Sequence, residues 1–332
     1  MSRSRSPAKT AFTLLELVVV LAILAAVTAL AVRALDGVDD QRRFESAQRG
    51  LEELEFAVLG SPDDRAADGS RTVSGFVADM GRLPRTVGVT DLAPRELWEN
   101  PGVPFDVRAA VVANGVAVAD EDPQVLVPGG WRAPYLRLGI GAATLLDGWG
   151  NPVTSPANPS PPNPDTTGYA RLRDASDNPI TAAGQEIRIV RHLGANGRLD
   201  AADTAYDRDA PLAFTNDKFQ AALIGQVEVL KEDSPPTAAP TDTADTVTIR
   251  VFGPNPANPA QISVASVTVP FATNPVTWSI PAAAGATIGP RVVRAYFNDV
   301  NGSGTTTFRK SPVKNVTLQA GANQLALTID RP

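Results

Sequence analysis

One stretch near the N-terminus constrains the fold more than any other. From Phe12 to Val32 the chain is apolar except for Thr13, Glu16 and Thr28. That is about the 20 residues that an α-helix needs to cross the hydrocarbon core of a bilayer. A short basic segment precedes it, and basic residues ahead of a span favour keeping them in the cytoplasm. The sequence therefore predicts a single-pass transmembrane helix over residues 12–32.

A cleaved secretory signal is the alternative explanation of this stretch. Its small-residue cleavage site would be Ala29-Leu30-Ala31. The length of the apolar run and the acid at its start are both atypical of such a signal. Inserting a carboxylate into lipid costs about 2.5–3.5 kcal/mol, so an intramembrane Glu16 should have a partner.

The residues AFTLLELVVVLAIL, from Ala11 to Leu24, resemble the class III signal of type IV pilins and type II secretion pseudopilins. In that family a basic leader is followed by a cut before Phe and by Glu at the fifth mature position. The resemblance implies that prepilin peptidase cuts between Ala11 and Phe12, that the new amine of Phe12 is methylated, and that Glu16 is the carboxylate used in assembly. The family usually has Gly before the cut, where this chain has Ala11.

A physical account of Glu16 agrees with this resemblance. After the cut Phe12 would carry a cationic amine, and Glu16 of one subunit could pair with the Phe12 amine of a neighbour in a low-dielectric helix bundle. Such a pair would offset the desolvation of both charges and set the register of the helices. A glutamate that lies at a membrane interface by chance is the plainer alternative.

The same helix is predicted to continue to Leu59. Apolar residues beyond the membrane recur at steps of three and four, which is typical of a stripe packed on one side: Phe44, Ala47, Leu51, Leu54 and Val58. Gly60 and Pro62 then end the pattern. We therefore expect a leader over 1–11 and one helix over 12–59.

Residues 60–230 are predicted to form a small loop-rich β head. Within it, GGWRAPYLRLG followed by LLDGWGNPV, over 129–153, is similar to the middle of the major pseudopilin head. Gly150-Asn151-Pro152 predicts a tight turn. Trp149 offers a large apolar face for the long helix.

A second head segment, residues 187–209, resembles the calcium loop that closes the same pseudopilin head. Hard Ca²⁺ takes six to eight oxygen ligands, which a loop dense in carboxylates and carbonyls can provide. The resemblance implies a backbone carbonyl from Leu193, carboxylates from Asp207 and Asp209, and Asn196 in place of the usual acid. Asp200 and Asp203 are further candidates. A merely solvated acidic loop is the alternative.

The last hundred residues change in composition. Residues 231–246 are rich in Pro, Thr and Asp and are typical of a semi-extended linker. Short runs of β-branched residues between turns then fill 247–332, which predicts a small antiparallel β-sandwich. RVVRAYFNDVNGSG, over 291–304, and the runs after it are similar to transthyretin-like domains, the carboxypeptidase regulatory-like type. The predicted fold class is thus α+β: a long transmembrane helix packed on a pilin-like head, followed by the sandwich.

Composition excludes several function classes. The net charge of −6 disfavours nucleic acid, because phosphate binding needs clustered Lys and Arg. There is no Cys and one His, and no nucleophile–base constellation or phosphate loop is present, so we expect no enzyme and no cofactor other than Ca²⁺.

The expected function is that of a structural pseudopilin in a type II secretion-like pseudopilus. Its expected partners are prepilin peptidase, other pseudopilins in a homo-oligomeric filament, and an inner-membrane assembly platform. The expected location is the inner membrane, single-pass, with the head in the periplasm, and the pseudopilus after assembly. The alternative is a minor type IV pilin whose β-sandwich binds a carbohydrate, a surface or a secreted cargo.

Overall fold

The structure of the protein is a computed structural model. It describes residues 14–65, 67, 72–89, 91–109, 125–156, 171–194, 209–231, 245–258, 261–282, 286–300 and 306–331. Most of the predicted linker, residues 232–244, lies outside the described residues, as does the predicted leader.

The N-terminal element is a single continuous helix, α1, which runs from Leu14 to Leu59. Its 46 residues make a rod about 69 Å long at 1.5 Å per residue. Gly60 ends it with φ of 83°, a left-handed conformation that favours glycine, and its N–H donates to the Phe56 carbonyl at 2.8 Å. Among the residues that the structure describes, none of the helices is both long and apolar enough to span a membrane.

The head, meaning the described residues between Gly60 and Gln220, is built from short elements around the second half of α1. Its helices are α2 (Phe76–Met80), a 3₁₀ turn (Arg95–Leu97) and α3 (Asn216–Phe219). Its strands are β1 (Asp91–Leu92), β2 (Asp106–Ala109), β3 (Leu126–Gly129), β4 (Ser155–Pro156), β5 (Leu172–Arg173), β6 (Ile189–His192) and β7 (Ala210–Ala213). All pair antiparallel, as β1-β4, β2-β3 and β5-β6-β7.

The C-terminal region, from Ala221 to Arg331, consists of two sheets that share one core. Its strands are β8 (Ala221–Lys231), β9 (Thr246–Pro254), β10 (Ile262–Pro270), β11 (Val276–Ile280), β12 (Gly289–Val300), β13 (Thr306–Lys310), β14 (Lys314–Leu318) and β15 (Gly321–Arg331). One sheet has the order β10-β9-β12, with β13 and β14 pairing with the two halves of β12; the other has the order β11-β8-β15. Alternate residues of both sheets point into the shared core.

Strand β8 lies in this C-terminal region and not in the head. The sequence pattern places the end of the head at residue 230 and the first strand of the sandwich at 247, whereas β8 pairs with both β11 and β15. The sheets are also not wholly antiparallel as expected, because β15 runs parallel to β8 over its whole length, from the pair Gly321 and Ala221 onward. Two segments about a hundred residues apart form this ladder, so no local turn signal could reveal it.

The C-terminal region is fastened to the head by a buried arginine. Arg291 on β12 is 2% exposed, and it donates to the Ala78 carbonyl of α2 at 3.0 Å and to the Ile288 carbonyl at 2.6 Å. Burial lowers the pKa of Arg291 to about 10, while the nearby Asp79 carboxylate opposes that shift. A Cβ on Gly289 would lie 2.6 Å from the Ala78 Cα, which shows how closely the two backbones approach. The two-sheet region is therefore held in one orientation on the head.

Candidate functional site

The first half of α1 presents an apolar surface with no cover from the rest of the described chain. Every residue from Leu14 to Leu30 is exposed, and its large apolar side chains range from 45% exposed at Val20 to 81% at Leu14. They surround the helix on all sides. Contiguous apolar surface of this extent marks a protein or membrane interaction site.

Two polar side chains interrupt this described surface. Thr28 satisfies its hydroxyl within the helix, because Oγ1 donates to the Leu24 carbonyl at 2.7 Å. Glu16 lies in the first turn of α1 and is exposed. A carboxylate there is favoured by the partial positive charge at a helix N-terminus. Ala11 and Phe12, the predicted cleavage residues, lie outside the described residues.

The second half of α1 is embedded in the head, as the predicted stripe requires. Ala47, Leu54 and Val58 are buried, and Leu51 packs against the same core. On the adjoining face the Lys218 ammonium of α3 donates to the Glu55 carboxylate at 2.7 Å. The second half of α1 is thus held by the head, whereas its first half is exposed.

The turn after Leu146 brings backbone directly against α1. Asp147 organises it, since its Oδ1 accepts the N–H of Trp149 at 3.0 Å and of Asn151 at 2.8 Å. A Cβ on Gly148 would lie 1.9 Å from the Arg43 carbonyl oxygen, so only glycine allows this approach. Its φ is not in the left-handed region, so the requirement is steric. The sequence predicts a tight turn at Gly150-Asn151-Pro152; the structure closes the turn slightly earlier, with the Gly150 N–H donating to the Asp147 carbonyl at 3.0 Å, and it shows the role of Gly148.

Three aromatic rings close the junction between α1 and the head. Trp149 packs edge to face on Phe44 of α1, with ring centroids 6.2 Å apart, and His192 of β6 packs on both, at 5.2 Å from Trp149 and 5.3 Å from Phe44. This confirms that Trp149 faces the long helix. The place of His192 was not anticipated, because a lone histidine at a strand end carries no signal of its packing.

His192 is a buried member of this junction. It is 2% exposed, its Nδ1 accepts the Gly194 N–H at 3.1 Å, and its Nε2 has no hydrogen-bond partner among the residues that the structure describes. Burial lowers its pKa; the Asp147 carboxylate opposes this shift and the Arg171 guanidinium adds to it. Asp147 and Arg171 form a buried ion pair beside it.

The predicted calcium ligands are described only at the two ends of their loop. Leu193 is fully buried and Asp209 is half-buried, while Asn196, Asp207, Asp200 and Asp203 lie outside the described residues. Within the described part of the chain, no group of three or more acidic, His or Cys side chains is placed to hold a metal.

Arginines occupy the surroundings of Asp209. Burial lowers the pKa of Arg173, while the carboxylates of Asp177 and Asp209 raise it. Asp177 also accepts from Arg191 through both carboxylate oxygens. At the described end of the loop, the charge of Asp209 therefore interacts with the guanidinium of Arg173.

Comparison with known families gives one match. The family described as the prokaryotic N-terminal methylation motif matches residues 7–32. This segment is a prepilin-type signal. It indicates a type IV pilin-like protein that is processed by prepilin peptidase and anchored at a membrane for assembly. The match does not extend into the head or the C-terminal region. No curated protein and no solved structure matches the chain.

Replacing Gly148 should weaken the packing of α1 against the head. In Gly148→Ala the new methyl group meets the Arg43 carbonyl, and overpacking of this kind costs about 1–3 kcal/mol in the free energy of unfolding. Chemical denaturation followed by tryptophan fluorescence would measure it. Gly139→Ala is the matched control, because a Cβ at Gly139 would meet no atom of the described residues within 4 Å. Equal stability of the two variants would contradict the close packing.

The buried His192 should make stability depend on pH. Its folded pKa lies below its ordinary 6.5, so the unfolded chain binds the proton more tightly. The contribution of the buried imidazole to the free energy of unfolding is complete above about pH 6.5 and is lost as the pH falls toward the pKa of the folded state. Comparing His192→Gln with the unaltered protein by melting at several pH values isolates this residue. A variant that loses as much stability as the unaltered protein over the same interval would disprove it.

Proposed function

We propose that the chain is a pseudopilin, a structural subunit of a type II secretion-like pseudopilus. One observation carries the proposal: the half of α1 that lies within the prepilin-type signal is apolar and exposed, while the half that follows the signal is fixed in the head. A monomer in water could not keep such a surface exposed without a large hydrophobic cost. A bilayer before assembly and neighbouring helices after it would both remove that cost.

The proposed pathway follows from the two halves of the helix. Prepilin peptidase cuts after Ala11 in the inner membrane, with residues 12–32 as a single-pass anchor and the head in the periplasm. The assembly platform then moves the subunit from lipid into a bundle of like helices. The bundle becomes the core of the pseudopilus, and the heads form its outer surface.

In this proposal Glu16 sets the register of each subunit against its neighbour in the filament. A carboxylate is costly in lipid, and in the bundle it is relieved by pairing with the methylated Phe12 amine of a neighbour. Thr28 needs no such partner, because its hydroxyl is bonded within the helix. Glu16 is the charged residue among the described residues from Leu14 to Leu30, so it is the side chain that this proposed pair would use.

A structural role also agrees with the composition of the sequence, which has one His and no Cys. The sole histidine is engaged in packing between Phe44 and Trp149. We therefore propose no catalytic activity.

A second candidate function is a minor type IV pilin that binds a ligand through its C-terminal region. The observation that favours it is a shallow, open concavity on the sheet β11-β8-β15, bordered by the outward-facing residues Ile224, Gln226, Thr277, Gln324 and Ala326. Removing residues 231–332 would not separate the two candidates cleanly, because it would strip β8 of both neighbouring strands and uncover Ala78. Single surface substitutions in the concavity are the appropriate tool.

The assembly proposal predicts where the mature chain begins and predicts that a substitution of Glu16 impairs assembly. Mass spectrometry of the protein from membranes should find a chain that begins at N-methylated Phe12. Glu16→Gln, which removes the charge and keeps the shape, should be processed normally but enter filaments at least tenfold less often, because the Phe12 amine loses its partner.

Glu45→Gln is the matched control, since Glu45 is exposed on the same helix beyond the apolar half. It should assemble normally. A mature chain that starts near Val32 or keeps Met1 would refute processing, and filaments formed equally well by Glu16→Gln would refute the charge pair.

We also propose that the loop between Leu193 and Asp209 binds Ca²⁺, on the strength of its resemblance and its carboxylates. Leu193 and Asp209 frame the loop, although the guanidinium of Arg173 competes for Asp209. If the ion binds, millimolar Ca²⁺ should raise the melting temperature, and Asp207→Asn should abolish the rise. Mg²⁺ at the same concentration controls for ionic strength. An unchanged melting temperature in Ca²⁺ would refute this site.

A further inference from the structure

We propose that the uncovered face of the second half of α1 binds the same face of a second copy of this chain, which is displaced by about 15 Å along the helix. This contact rests on the proposed function and deepens it, because it names what fixes the spacing of neighbouring subunits outside the apolar half. It depends on the order of the charges along α1, on their exposure and on the geometry of a continuous helix.

Two charge patterns follow one another on this half of α1, and the second inverts the first. The first is an acid followed three and four positions later by two bases, and the second is a base followed at the same spacing by two acids. The first triplet is Asp39, Arg42 and Arg43, and the second triplet is Arg49, Glu52 and Glu53. Each member of the second triplet stands ten positions after a member of opposite charge in the first. The helix is therefore complementary in charge to itself at this shift.

Both triplets lie on the part of α1 that the head leaves uncovered. All six side chains are exposed, whereas the buried stripe of Ala47, Leu54 and Val58 lies toward the head. Ten residues make about 2.8 helical turns, so corresponding members of the two triplets are turned by only about 80° from each other. A neighbouring helix can therefore lie along both triplets.

One chain cannot pair the two triplets with each other. Neighbours on a helix surface are three or four residues apart, whereas an interval of ten residues spans about 15 Å. One ion pair within the triplets is described, between Arg42 and Asp39 at 3.8 Å, and both side chains are more than two-thirds exposed. Among the described residues, the other four members form no ion pair. Their charges are available to another chain.

A parallel neighbour at this shift brings each charge against its opposite. Three pairs form at once, each between the second triplet of one chain and the first triplet of the other: Arg49 with Asp39, Glu52 with Arg42, and Glu53 with Arg43. Without a shift, each triplet would face its own like charges, which repel. The charges therefore favour one axial position of the neighbour and disfavour the unshifted one.

Such a contact does not close on itself. A chain that uses its second triplet for one neighbour keeps its first triplet for another, so each subunit has a partner on either side along the axis. Heterologous contacts that do not close build an open filament. The parallel sense also keeps the apolar halves of α1 pointing the same way, as insertion in one bilayer requires. An antiparallel pair would point them in opposite directions and would stop at a dimer.

Disulfide crosslinking measures the shift directly, because the chain has no cysteine of its own. In filaments of the full chain, oxidation of Arg42→Cys/Glu52→Cys should give a ladder of multimers, since each chain is then linked to a copy on either side. The two sulfurs cannot bond within one helix, because a disulfide needs Cα atoms within about 7 Å. Arg42→Cys/Arg49→Cys is the matched control. It reports a shift at which like charges meet, and it should give no ladder.

Charge reversal measures the attraction. Glu52→Lys/Glu53→Lys turns two attractive pairs into repulsive ones and should lower the filament yield by about tenfold or more. Adding Arg42→Glu and Arg43→Glu restores opposite charges at the same shift and should restore the yield. All four side chains are exposed, so the melting temperature of the subunit in detergent should stay unchanged in both variants.

The proposal is overturned if the unaltered chain forms filaments but the Arg42→Cys/Glu52→Cys variant gives no ladder. A crosslinked dimer without larger species would show an antiparallel pair and would overturn it too. So would normal filament yield in the reversed variant, or no recovery in a fully folded fourfold variant. These results leave processing before Phe12 and the role of Glu16 intact, whereas an unaltered chain that is never processed and forms no filaments would refute the proposed function itself.

Discussion

The packing of the second half of α1 against the head is the contact on which the rest of the structure depends. Gly148 lets the backbone of its turn touch the helix, and Trp149 and His192 close on Phe44 from the same side. Because this half is immobilised, the apolar half projects from the head as a rigid rod. A flexible connection at this point would leave the orientation of the rod undefined, and a regular filament needs every subunit to present its helix in the same way.

A second fixed junction extends this rigidity to the C-terminal region. Arg291 reaches across to the Ala78 carbonyl, and a small apolar cluster, Val125 and Val127 from the head with Phe252, Ile262 and Val292, lies beside it. The two-sheet region is thus carried in a constant position relative to the rod. In a filament its outer faces would be displayed at regular intervals. That arrangement would suit either a decorated structural fibre or a fibre that binds ligands along its length.

The two junctions also explain how an assembly role and a binding role can coexist in one chain. The apolar half of α1 and the shallow concavity near Gly225 lie in different parts of the fold. Neither needs the other's residues. The head between them serves as the rigid support that both require.

The sequence by itself determined those features that depend on residues close together in the chain. The run after Phe12 and the carboxylate of Glu16 define the prepilin-type signal, three- and four-residue steps define the buried stripe of α1, and β-branched runs define most C-terminal strands. Tertiary structure alone decided what depends on distant partners. Strand β8 joins the C-terminal sheets because β15 returns beside it, Gly148 is required because Arg43 lies against it, and the pKa of His192 is lowered because burial removes water from the ring. In each case the cause is a contact between segments far apart in the chain, which no local pattern can encode.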